Sequence, residues 1–297
     1  MRYIKSFQND AAIQAAVDNK TLGKPYVALD DQLHRIDWNG KGISPETIPL
    51  TFNILTNGAI KYGTNSQYLM KVIEYKKNDN DWVEITATTA GTLISVESGD
   101  TIQFRGNNES YGVSNDNLMC GFSGSTAQFS LSGNIMSLVS KNGYDSIRSV
   151  GDYAFKNMFR KCTTLVDVSK LVLPATTLGK YCYSYMFHSC TSLTSAPALP
   201  ATNLNLDSYE NMFYGCTRLT SAPVLHATTL SQSSYTFMFC NCSSLNYVKC
   251  LATNNLNGNT YLWLSGVSPT GTFVKKAGVT WPTGASGIPS GWTVIEE

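Results

Sequence analysis

The chain has no apolar run of about 18 residues, the length a membrane-crossing helix needs. It has no Cys-x-x-Cys pair, so its eight cysteines lack the spacing of a zinc site. Only three histidines occur, His34, His188 and His226, and no two share a spacing suited to a metal or a nucleophile–base pair. Acidic residues almost vanish from the second half: Asp152, Asp167, Asp207 and Glu210 are all that lie between 151 and 295. Carboxylate-pair catalysis needs two acids converging at about 5 to 9.5 Å. Asp207 and Glu210 could converge, but one turn of chain explains their spacing without chemistry. A Gly-rich phosphate loop, GxSxG and HExxH are all missing. These absences predict a protein that is not an enzyme and uses no cofactor or metal. A formal charge of +1 leaves no electrostatic footprint for nucleic acid. The start, MRYIKSFQNDAAIQAA, lacks the apolar stretch of about 7–15 residues that marks a secretory signal. The expectation is a mature form, or a route other than signal-directed export.

What the chain does contain is a repeat. Met158-Phe159, Met186-Phe187, Met212-Phe213 and Met238-Phe239 recur at spacings of 28, 26 and 26. Cysteine keeps register at Cys162, Cys190, Cys216 and Cys242, and leucine follows at Leu165, Leu193, Leu219 and Leu245. A second leucine column runs Leu178, Leu204, Leu230, Leu256, and an aromatic column runs Phe155, Tyr183, Tyr209, Tyr235, Tyr261. A fixed period between about 20 and 50 residues marks a solenoid, array or propeller, whose units bury their apolar columns by stacking. The fold class expected is mainly β with short helices, ending in a solenoid of about four and a half units.

Within a unit, "CTSLTSAPAL" (190–199) reads as the strand, with Leu193 and Ala196 inward and Leu204 entering from the return segment. Pro197 and Pro223 lack an N–H and should sit where a ladder ends. "YSYMF" (183–187) reads as a short helical turn that puts Tyr183, Met186 and Phe187 on the core at i, i+3 and i+4. Thr and Ser beside the leucines should face out as hydroxyl ladders. Cysteines stacked about 4.8 Å apart look like small buried packers. Pairs such as Cys216 with Cys240 or Cys250 remain open.

Composition divides the chain into three parts. Residues 1–45 form a leader, with a short helix capped by Asn9 or Asp10 and two short strands in "YVALDD" and "HRIDW". Its apolar stripe is too small for a stable domain and needs a neighbour or partner chain. Residues 46–128 hold "LTFNIL", "KVIEYKK", "WVEITA", "TLISVES" and "TIQFRGN", β-branched segments separated by turn residues. They suggest a small antiparallel β-sandwich. Residues 129–297 hold the repeats, with "FSLSGNIMSLVS" as an N-terminal cap. Tyr261, Leu264, Phe273 and Val274 should continue the register, while Trp281, Pro282 and Trp292 cover the last unit.

"VGDYAF" (150–155) and "CTSLTSA" (190–196) resemble the IGxxAF element and Cys-x-x-Leu strand of BspA-like, Treponema-type leucine-rich repeats. The MF-x-x-C-(T/S)-x-L…LPATTL dialect is similar to repeats on surface proteins of gut Bacteroidetes. The resemblance covers about 147–275. It departs in period, 26 being longer than the family unit, and in losing the Gly-Ala of IGxxAF after the first repeat. It implies adhesion: a cell-surface or secreted binder of a surface protein or a glycan, with no catalytic residues to transfer. Outward strand positions change between repeats while core columns persist. Asp167, Ser195, Arg218, Ser221, Asn246 and Tyr247 are therefore the candidate ligand-binding residues, against the plain reading of a solvated β-face. A second reading is a phage virion appendage, a fibre or decoration protein docked to the particle, or self-associating, through residues 1–45. A third is an intracellular scaffold. None of them requires a membrane span.

Overall fold

The computed structural model describes residues 28–29, 35–36, 45–115 and 118–297. The chain is mainly β, with short strands and 3-10 turns of at most four residues among the described residues. It divides into two compact units, Met1–Ile48 and Pro49–Glu297. In the first, β1 (Ala28–Leu29) and β2 (Arg35–Ile36) pair antiparallel, within the two segments expected to be strands. The helix expected from Asn9 lies outside the described residues.

The second unit opens with β3 (Leu50–Ile54), β4 (Gly58–Thr64), β5 (Val72–Lys77), β6 (Val83–Thr86), β7 (Thr92–Val96) and β8 (Thr101–Gly106). Five of these lie in the five segments whose alternation predicts strands. β4 falls outside those segments, where Asn57-Gly58 reads as a turn. Ile60 and Tyr62 nevertheless alternate with Lys61 and Gly63, and both are wholly buried. β5 and β6 pair antiparallel as a hairpin, with Tyr75 opposite Val83.

Further along come β9 (Cys120–Gly121), β10 (Phe129–Asn134), β11 (Ser149–Val150), β12 (Leu165–Val172) and β13 (Thr177–Leu178). One sheet has the order β12-β10-β3-β8-β5-β6, another β7-β4-β9. β10 lies antiparallel to β3 and parallel to β12, so hydrogen bonding runs from the N-terminal strands into the first repeat. The boundary expected at 128/129 therefore falls inside one compact unit. Apolar packing crosses it too: Phe52 sits 4.7 Å from Phe122 and Phe129, and 6.1 Å from Phe159 of the first repeat.

The repeats stack. Phe159, Phe187, Phe213 and Phe239 form a column with ring centroids 5.4 to 5.6 Å apart. A second column runs from Phe155 through Tyr183, Tyr209 and Tyr235, at spacings from 5.6 to 6.2 Å. Each aromatic pair adds roughly 0.5–1.5 kcal/mol beyond its buried area.

The segment carrying these rings is not a helical turn. Tyr181, Tyr183, Tyr185 and Ser189 have φ between 57° and 61°. Cys182, Ser184, Met186, His188 and Cys190 donate their N–H three residues back, while Tyr181, Tyr185, Phe187 and Ser189 donate to carbonyls of the next unit. Left-handed residues recur at Tyr181, Tyr183, Tyr185 and Ser189, and every second amide from Tyr181 to Ser189 bonds along the stack, that of Tyr183 to Ala154 of the preceding unit. A left-handed non-glycine residue costs about 1–2 kcal/mol. The inter-unit hydrogen bond returns about 0.5–1.5 kcal/mol, and ring stacking adds to it. Tyr183, Met186 and Phe187 are buried as expected, although the backbone that buries them is different.

Strand pairing is richest at the two ends of the stack. In the middle units, which contain Pro197 and Pro223, it shrinks to isolated parallel bridges such as Leu199 with Leu225. The missing proline N–H accounts for this. Leu178, Leu230 and Leu256 are buried, while Leu204 and Ala196 are partly buried against the core. At the C-terminal end β14 (Tyr247–Cys250), β15 (Gly271–Lys275) and β16 (Trp292–Glu296) form a parallel three-stranded sheet.

Two cap expectations need correction. On the turn side, the N-terminal cover comes from Phe122, 5.5 Å from Phe159, and Tyr111, 6.1 Å from Phe155; 129–140 covers only the strand side, through β10. At the other end Tyr261 does not continue the aromatic column: it is 53% exposed and meets Phe237 edge-on. Phe239 donates its N–H to the carbonyl of Trp263, as Phe213 does to Met238, so Trp263 occupies the methionine position. Its larger ring reaches into the column, 6.0 Å from Tyr235, and Trp281 closes the stack 5.4 Å beyond.

Candidate functional site

The six candidate residues lie on the strand side of the repeats, and the structure separates them. Asp167, in β12, accepts hydrogen bonds from the Ser195 hydroxyl, from the Ser169 N–H at 2.9 Å and from the Ser169 hydroxyl at 3.2 Å. Burial pushes its carboxyl up, but the Ser195 and Ser169 hydrogen bonds outweigh that and hold it below the usual carboxylate range. Ser195 also accepts from the Val168 N–H at 3.1 Å. Its hydroxyl therefore serves as an acceptor between the two units while donating to Asp167. These two residues spend their polarity on the fold.

Of the other four, Ser221 donates its hydroxyl to the Ala222 carbonyl at 3.3 Å, while Arg218, Asn246 and Tyr247 present exposed side chains. Ser221 forms a parallel bridge with Tyr247, which is 37% exposed. Asn246 uses its backbone to accept from Thr272 and to donate to Thr220, leaving its side chain exposed. Arg218 is exposed on the preceding turn and has no ion pair or hydrogen bond to its side chain among the described residues. Tyr247 pairs with Thr272 and Thr272 with Thr293, so one outward row continues across β14, β15 and β16. The expected hydroxyl ladders are present beside it: Thr217 donates to the Thr191 carbonyl and Ser243 to that of Thr217, each at 3.5 Å.

Two further features carry polar or aromatic groups that the spacing argument passes over. Near the "PATNL" (200–204) and "HATTL" (226–230) segments, a shallow depression of about 540 Å³ is lined by Asn203, Gln232, Asn255 and Asn259 with Thr202 and Thr229. Amides and hydroxyls in this density suit sugar hydroxyls or a peptide backbone. The Asn at the second position of "TN", where other units carry Thr, is the signal in the sequence. On the turn side, Tyr153 stacks on Tyr181 at 5.1 Å, and His188 lies between Tyr185 at 5.4 Å and Tyr214 at 4.7 Å. The Lys156 ammonium sits 4.7 Å from the Tyr181 ring centre. Burial, then the nearby Arg160 charge, pushes His188 down to about 4, so its ring is neutral near pH 7. These rings cover one another's faces and leave mainly edges to a ligand.

Among the described residues, no group of three or more His, Cys, Asp or Glu is placed to hold a metal ion, and no helix is long and apolar enough to cross a membrane. All eight cysteines are free and buried. No family model, curated protein or solved structure matches the chain.

Proposed function

We propose that the repeats form a leucine-rich-repeat solenoid fronted by a small antiparallel β-sandwich. In this reading the chain is a non-catalytic recognition protein of the BspA-like kind, displayed outside the cell and binding a surface protein or glycan. The observation that carries it is the parallel register across units: Ser221, Tyr247, Thr272 and Thr293 stand in one outward row. A stack whose core positions stay fixed while outward positions vary offers an extended surface, and such a surface suits a large partner. Tyr247 supplies an aromatic face, Arg218 an exposed cation and Asn246 an amide. Tyr and Arg are among the residues that dominate measured binding energies.

The test is binding of the purified chain to immobilised intestinal mucin, before and after enzymatic removal of its glycans. Saturable binding should weaken about tenfold when Tyr247→Ala and Arg218→Ala are combined. Unchanged binding in that variant would remove this face from the reading. No binding to glycosylated or stripped mucin would remove mucin as the ligand.

A second reading is a virion appendage docked through residues 1–45. It is favoured by one observation, the separation of Met1–Ile48 as a compact unit. Light scattering on the full chain decides whether that unit self-associates: an oligomer that falls to monomer on removing 1–45 supports the appendage, and a full-length monomer counts against self-assembly.

A further inference from the structure

Apart from the repeat face, a small cleft of about 250 Å³ opens beside β4 and β9. Lys61 enters it from the outward side of β4. An ideal Cβ on Gly91 would fall 2.2 Å from Lys61 Cε, and one on Gly124 would fall 3.3 Å from Cδ and 4.0 Å from Nζ. The stem therefore lies where side chains at these two glycines would have to go. Both glycines have positive φ, +77° and +84°, a conformation that keeps most other residues out. The ammonium has no ion pair or hydrogen bond among the described residues. The described lining contains no Asp or Glu.

Around this cation are the hydroxyls of Thr89 and Ser123, neither hydrogen-bonded among the described residues, and the Asn65 and Asn157 side chains. Met119 supplies an apolar wall, and Gly63 and Gly121 contribute backbone alone. A free lysine side chain has many rotamers to lose on binding. Here glycine packing has already removed some of them, so an anion meets a cation that is partly pre-organised. Drug-sized ligand pockets run from roughly 300 to 1,000 Å³. This cleft is smaller and holds one ring, not an oligosaccharide chain.

We propose that this cleft binds a single acidic sugar ring, with the ligand carboxylate on Lys61, its hydroxyls on Thr89 and Ser123, and its C–H face on Met119. The site does not depend on what the repeat face binds. Hexuronates and sialic acids share the required chemistry, a pyranose bearing a carboxylate.

The test is an amide-resolved NMR titration of the full chain at constant ionic strength, with glucuronate, N-acetylneuraminate, glucose and acetate as separate probes. Saturable shifts at Lys61, Ser123 and Gly124 should appear with at least one acidic sugar. Which of the two saturates first identifies the source. Glucose should bind about tenfold or more weakly, since a hydrogen bond to a charged group is worth roughly 1.5–3 kcal/mol. Lys61→Met keeps the stem and removes the charge, and should weaken binding about tenfold or more while the rest of the spectrum stays put. Thr89→Ala, at an exposed loop position, gives a second reading of the same site, with a smaller loss expected. Shifts of equal strength with acetate, binding that survives Lys61→Met, or no saturable shift with either acidic sugar would overturn the proposal.

Discussion

Cys190 donates its thiol proton to the main-chain carbonyl of Phe159, 3.1 Å away in the preceding unit. Cys216 does the same to Phe187 at 3.1 Å, Cys242 to Phe213 at 3.0 Å, and Cys162 to Phe122 at 3.1 Å. The sulfur column is thus a ladder of weak second donors: the Phe159, Phe187 and Phe213 carbonyls already accept the N–H of the cysteine in their own unit, and that of Phe122 accepts the Ser125 hydroxyl. Burial pushes every one of these thiols up.

Thiolate chemistry should therefore be silent in the folded protein. Reaction with a disulfide reagent at pH 8 is expected to label none of the eight cysteines rapidly, and all of them in guanidinium. Fewer than eight reactive thiols after unfolding without reductant would reveal a disulfide and contradict the ladder.

The aromatic columns should govern stability most strongly at their centre. Phe213 lies 5.4 Å from both Phe187 and Phe239 and is wholly buried. Phe213→Ala is expected to cost about 3–5 kcal/mol in denaturant unfolding. Tyr261→Ala, outside the column, should cost well under 1 kcal/mol, the usual scale for surface positions. Similar losses for both would mean that the stack does not carry the load assigned to it.

How much of this was legible depends on which period one reads. The columns of Phe187, Cys190 and Leu193 identify the repeat and its core directly, because stacked units must place like residues in like positions. The backbone between them is hidden. Tyr183, Met186 and Phe187 have helical spacing, and nothing in a tyrosine announces φ near +60°, which costs it energy that only the neighbouring unit repays. Tyr261 misleads for a related reason: it keeps the right residue type one place out of register, while Trp263 fills the column from the methionine position. On the candidate face, variation between repeats picks out Tyr247 and Asn246 as outward positions, and both side chains are exposed. Ser195 varies for a structural reason, its bond to Asp167, and the Lys61 cleft depends on contacts between β4 and the loops at Gly91 and Gly124 that no local pattern reveals.

Acid should reach the protein partly through Asp100. The Glu97 N–H first, then Lys77 at 2.8 Å and Asn78 at 2.8 Å, hold its carboxyl down to about 2 from an unfolded value of 3.8. A folded pKa below the unfolded one contributes stability that is fully present above the unfolded value and is lost as pH falls through the folded one. Unfolding free energy measured from pH 5 to pH 2 should fall, and Asp100→Asn should flatten that fall. An unchanged slope in the variant would place the acid sensitivity elsewhere.

Gly121 tests the junction between the first strands and the first repeat. An added Cβ there would lie 2.0 Å from the Met158 carbonyl oxygen, which is backbone and already accepts the Phe122 N–H at 2.9 Å. No side-chain rotation relieves that clash; β9 or the Met158 segment must move, and with it the Phe122–Phe159 stack. Gly121→Ala should therefore cost several kcal/mol, in the range of about 1–3 kcal/mol for overpacking plus the lost hydrogen bond. Gly151→Ala is the control: nothing lies within 4 Å of its Cβ position, so it should be neutral or gain about 0.4–1 kcal/mol by restricting the unfolded chain. Both variants keep every repeat column, so a difference in their melting reports the join itself. Equal melting of the two would show that strand β9 tolerates displacement, and that the first aromatic pair does not depend on its close approach to Met158.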